Sequence, residues 1–107
     1  MNIDTIIGAL ESHPQIQMLL LTIKPFLPVI IREGKTAYED FLSYSVEGKW
    51  VELDQKMWSK MTEDERDVLS SQVLEEARQS VDNQYQRDKT ARETAIKIAS
   101  ALLLAIL

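Results

Sequence analysis

Apolar positions along this chain recur at helical spacing. From Ala37 they fall at Ala37, Tyr38, Phe41, Leu42 and Val46, which marks a one-sided helix rather than an alternating strand. The next segment sets Trp50, Leu53, Met57 and Met61 on one stripe, with Trp58 beside it. A third stripe reads Val68, Leu69, Val73, Leu74, Ala77, Val81 and Tyr85, in steps of about four residues that hold one face. No segment alternates convincingly, and there is no internal repeat or low-complexity stretch.

Helix breakers divide the pattern. Gly8, Pro14, Pro25, Pro28, Gly34 and Gly48 are the whole set, so 49–107 contains no strong breaker. Ser12 or His13 is expected to precede a helix opened by Pro14, whose missing N–H costs nothing there. Pro25 and Pro28 restrict Lys24 and Leu27 and should end or kink that helix. Gly34 closes the next piece, and Thr36-Ala37-Tyr38-Glu39 reads as a capping box that restarts a helix through Val46. Gly48 closes that one. Thr62-Glu63-Asp64-Glu65 is a second capping box, with acids in the first turn where the helix dipole favours them. A helix unbroken from Glu63 to Leu107 would run about 66 Å. That exceeds the roughly 26–35 Å of a compact domain of this size, so the helix must bend back or project into a partner.

Composition bounds the reading. With 107 residues, 45% of them hydrophobic, the chain suffices for one modest core. It has no cysteine, which excludes a disulfide scaffold and a thiolate metal site. The net charge of −5 opposes nucleic-acid binding, whose affinity comes from cations on phosphates. Charge is also unevenly placed: 62–82 carries seven acids against Arg66 and Arg78, a net of −5, whereas 83–107 is net +2. Asp4 and Glu11 stand where a secretory leader needs bases, so no signal peptide and a cytoplasmic location are expected.

The apolar end of the sequence is its most unusual feature. Every position of 102–107 is apolar, and a helix apolar on all sides is enclosed by protein or by lipid. Ala91, Ala95 and Ala99 recur every four residues, as do Ala101 and Ala105, a spacing that permits close helix approach. Burial in the chain's own core, self-association and membrane contact all account for it. The favoured expectation is self-association through Ile96, Ala99, Leu103 and Ile106. A membrane span is too long for this tail: from Thr94 there is only about 21 Å of rise against about 30 Å of hydrocarbon. One-sided insertion, with Arg87, Lys89, Arg92 and Lys97 at the headgroups, is the alternative. A second apolar stretch, 16–31, has Lys24 as its only charge and is expected to pack on that tail.

Catalytic chemistry finds little support. His13 is the single histidine and the glycines are isolated, so neither a histidine metal site nor a phosphate loop is formed. Adjacent acids such as Glu39-Asp40 and Glu75-Glu76 point about 100° apart on a helix and do not converge. Ser70-Ser71 has no histidine near it in sequence. Trp50, Met57, Trp58 and Met61 fit either an adaptable groove for a partner helix or plain core.

The sequence therefore predicts an all-α protein: a small bundle of short N-terminal helices with a long C-terminal helix, assembled as an oligomer. Residues 1–82 are expected to form the core domain and 83–107 a polar-then-apolar helical extension. The expected function is non-enzymatic, without cofactor or metal: an assembly or adaptor protein that binds itself or another helical protein through the C-terminal helix. The alternative is a peripheral membrane accessory protein that dips the tail, and 16–31, into one leaflet.

Overall fold

The computed structural model describes Gly8, Ser12 and residues 14–106. Among these residues the fold is all-α, and the breakers mark most of its boundaries. Helix α1 runs Pro14–Ile23, followed by a 3₁₀ turn Lys24–Phe26 and α2 Leu27–Glu33. Pro25 and Pro28 both sit in first turns, where a missing N–H removes no helical bond. Gly34 ends α2 at φ 85° and ψ −151°, with its N–H on the Ile30 carbonyl at 2.8 Å. Helix α3 is Lys35–Val46, Gly48 turns the chain at φ 72°, and α4 is Trp50–Trp58. Helix α5 (Glu63–Asp67) leads through a 3₁₀ turn, Val68–Ser70, to α6 (Gln72–Gln84), and α7 is Lys89–Ile106.

Two expected helix starts are corrected and a third is met. Ser12 is already helical rather than a cap, and His13 lies outside the described residues. Thr36 does not cap α3: the helix starts two residues earlier than a Thr36 cap implies, at Lys35, because Gly34 takes the N-cap position. The Thr62 box does form, with Glu65 N–H donating to Thr62 Oγ1 at 3.3 Å and Thr62 N–H donating to Glu65 Oε1 at 2.9 Å.

The continuous helix from Glu63 is absent. Ser71, extended at ψ 133°, accepts from Leu74 N–H and caps α6 anew. Asp88 accepts from Ala91 N–H at 2.9 Å at the start of α7. These two caps satisfy orphan amide donors at the points where the chain reverses. The longest element is therefore α7, with 18 residues, and it folds back: the molecule measures 35 × 33 × 27 Å.

Helix α1 packs against both α6 and α7, while α3 packs on α7, α4 and α2. Phe26 and Phe41 meet at the centre with ring centroids 5.7 Å apart, surrounded by Ile23, Leu53, Met57 and Val81. Ile96, Ala99 and Leu103 belong to this same core. The stretch 16–31 and the C-terminal helix thus cover each other within one chain. Buried hydroxyls are satisfied locally, Thr22 donating to the Leu19 carbonyl and Ser100 to the Ile96 carbonyl, each at 2.7 Å.

Candidate docking groove

The periodicity that built α6 leaves part of its stripe uncovered. Leu74, Ala77 and Val81 are buried, but Val68 and Val73 stand 42% and 59% exposed. They form one bank of a groove of about 520 Å³. The facing bank is Leu21 on α1 with Pro25 and Pro28, and Leu74 lies at the floor. The 3₁₀ turn places Pro25 directly after α1, and Ser71 caps α6 beside Val73. Its lining is mostly hydrocarbon, a surface that water wets at a cost and that a partner's apolar side chains can dry.

Charge is arranged along its edge. Lys24, Asp64 and Glu65 line it. Arg32 reaches across from α2 to Glu65 at 2.9 Å and also donates to the Lys60 carbonyl at 2.5 Å. The Arg32 hydrogen bond holds the Glu65 carboxyl below the usual carboxylate range, helped by the Thr62 backbone N–H. The same bond raises the Arg32 guanidinium. Asp64 has no cation within ion-pair distance among the described residues.

A polar cluster lies on another side of α6. Trp50 donates its indole N–H to Asp82, and the guanidinium carbons of Arg78 and Arg92 stand 5.1 and 5.4 Å from its ring centroid. Arg78 is bidentate on Asp54, at 2.6 and 2.8 Å. Arg92 lies 2.8 Å from Asp82 and donates through Nε to the Ser45 carbonyl at 2.8 Å. Two cations face two carboxylates, so the cluster is neutral, although the buried Arg78 Nε and Arg92 Nη2 make no hydrogen bond among the described residues. It ties α3, α4, α6 and α7 together and offers no free nucleophile or base.

Most of the residues singled out from sequence lie inside the fold. Ile96, Ala99 and Leu103 are sealed inside the monomer, facing α1 and α3 rather than open to a partner, and the Ile106 side chain lies outside the described ones. The seam is core because the chain bends back at Tyr85–Asp88. Met57 and Met61 are likewise buried, and Trp50 is held in the polar cluster. Only Trp58 is open, at 50%, with Arg66 4.8 Å over its ring.

The cations assigned to headgroups are largely occupied: Lys89 by Glu47, Arg92 by Asp82 and Lys97 by Glu93. Among the described residues no helix is long and apolar enough to cross a membrane, and no group of three or more metal-capable side chains converges.

Sequence reasoning missed Leu21, Pro25, Pro28, Val68 and Val73 as a surface. Periodicity gives no signal for it, because Leu69 and Val73 keep the four-residue step across Ser70-Ser71. No family model, curated protein or solved structure matches this chain. The functional reading therefore rests on geometry.

Proposed function

We propose that this protein is a non-catalytic binding module that receives a segment of a partner protein in the groove between α1 and α6. One observation carries the reading: Val68 and Val73, members of a stripe whose deeper residues are buried, remain exposed at the rim of a groove of about 520 Å³. The adaptor role expected from the sequence is thus moved from the C-terminal seam to this surface.

Peptides selected by display against the whole protein test it. The selected peptides should shift the amide resonances of Leu21, Val68 and Val73, and Val73→Glu should weaken them at least about tenfold. Peptides that bind elsewhere and tolerate Val73→Glu would overturn the reading.

A second reading rests on α7. Ile98 is 52% exposed and Leu104 39%, and with Ala101 and Ala105 they leave an apolar stripe on the outer face. This stripe suits a second copy of the chain. Sedimentation velocity separates the two: self-association should deepen with concentration and vanish in Ile98→Glu, whereas a concentration-independent monomer removes this second reading.

A further inference from the structure

The groove is bordered unequally. On the α5–α6 bank, Asp64 precedes Val68 by four residues and Glu76 follows Val73 by three, the spacings that place side chains on one helical face. Of these only Asp64 lines the groove; Asp67 and Glu76 belong to the same segment without lining it, and all three are exposed. Among the described residues none of the three has a cation within ion-pair distance. The two arginines of 62–82 are spent elsewhere: Arg66 on the Trp58 ring and carbonyl, Arg78 on Asp54. The segment's excess of acids is therefore uncompensated on the surface beside this apolar groove. Across the groove, Lys24 is the one cation lining it among the described residues, and Arg32 is neutralised by Glu65.

We infer that the occupant of this groove is a basic amphipathic helix of a partner protein, an inference that rests on the docking reading above. Its apolar face, at i, i+3 or i+4, and i+7, fills the space between Leu21 and Val73, while lysines or arginines on one edge meet Asp64 at the groove and Asp67 and Glu76 on the exposed segment beside it. The described residues contain no strand edge to recruit an extended peptide by main-chain pairing. A nucleic acid, an anionic bilayer or an acidic helix meets like charge at this rim and is repelled. The carboxylates speed encounter, and the apolar contact sets residence time.

The test uses the full chain and two synthetic helices of about 18 residues, five turns, each with leucines on one face. One carries lysines on its polar face, the other glutamates. Fluorescence anisotropy should show the lysine helix binding and the glutamate helix not, with the lysine complex weakening several-fold between about 50 and 300 mM salt. Val73→Glu, at an exposed position, should lose the lysine helix at least tenfold although it adds a carboxylate; mere charge attraction would strengthen instead. The pair Asp64→Lys and Glu76→Lys should reverse the preference toward the glutamate helix. If both helices bind equally and Val73→Glu loses both, the basic partner is wrong while the groove stands. If neither helix binds, the basic partner is wrong as well. If Val73→Glu leaves the lysine helix bound, the groove reading falls with it.

Discussion

The indole nitrogen of Trp50 donates to both carboxylate oxygens of Asp82, at 2.9 and 3.0 Å. Asp82 in turn faces Arg92, which is 6% exposed and lies against the same indole ring. Removing the carboxylate strands a buried cation and an indole N–H together. Asp82→Ala should lower unfolding free energy by about 1–3 kcal/mol in urea titrations. In a cycle with Trp50→Phe the two losses should couple by at least about 0.5 kcal/mol; simple additivity would mean that the hydrogen bond contributes nothing.

The C-terminal helix supplies core rather than an open seam. Leu103→Ala should cost about 2–5 kcal/mol, equally at low and high protein concentration, because Leu103 is 4% exposed within the monomer. Met57→Glu buries a charge beside Leu53 and Phe41 and should abolish cooperative thermal melting. If the loss in Leu103→Ala shrinks on dilution, a subunit contact is being measured instead.

Gly34 and Gly48 both carry positive φ, but they are not equivalent. Gly34, at φ 85° and ψ −151°, sits in a region essentially confined to glycine. Gly34→Ala should cost about 1–3 kcal/mol although nothing lies within 4 Å of an added Cβ. Gly48, at φ 72°, is closer to the left-handed region that asparagine tolerates. Its substituted Cβ would meet Arg92 and Asp82 at 3.4 Å. Gly48→Asn should therefore cost less than Gly34→Ala in paired thermal melts.

Acid should loosen two surface ties together. The hydrogen bond to Arg32 lowers Glu65, and the hydrogen bond to Lys89 lowers Glu47. A carboxyl depressed by folding adds stability that is complete above its unfolded value of about 4.3 and is lost as pH falls through the lower folded value. Side-chain carbonyl NMR should find both midpoints below ordinary glutamate. Arg32→Ala should move Glu65 upward and leave Glu47 unchanged. A Glu65 midpoint unmoved by Arg32→Ala would show that the ion pair is not formed in solution.

Much of the chain's layout was readable in its breakers and caps. Pro25, Pro28, Gly34 and Gly48 cut the first half where the sequence predicts, and the acid-rich Thr62 box forms as written. The cut at Ser71 escaped, because Leu74 rather than Glu or Gln stands three residues on, so the sequence shows no capping box there. Arg92 escaped for a different reason. Local spacing pairs it with Asp88, yet it turns inward to Asp82 and to the Ser45 carbonyl 47 positions away. The groove was illegible on the same grounds: periodicity assigns Val68 and Val73 to a face, but what covers a face is decided by distant helices.

Helix α3 is bracketed by the two positive-φ glycines, entered after Gly34 and left through Gly48, with Ala37, Phe41 and Ser45 turned inward between them. Each added residue rotates everything beyond it by about 100°. A single insertion or deletion between Gly34 and Phe41 would swing the Phe41 ring away from Phe26, or else pull Gly34 from the one conformation it is there to supply. Conservative replacement is tolerable along this stretch, but its length is not free to drift.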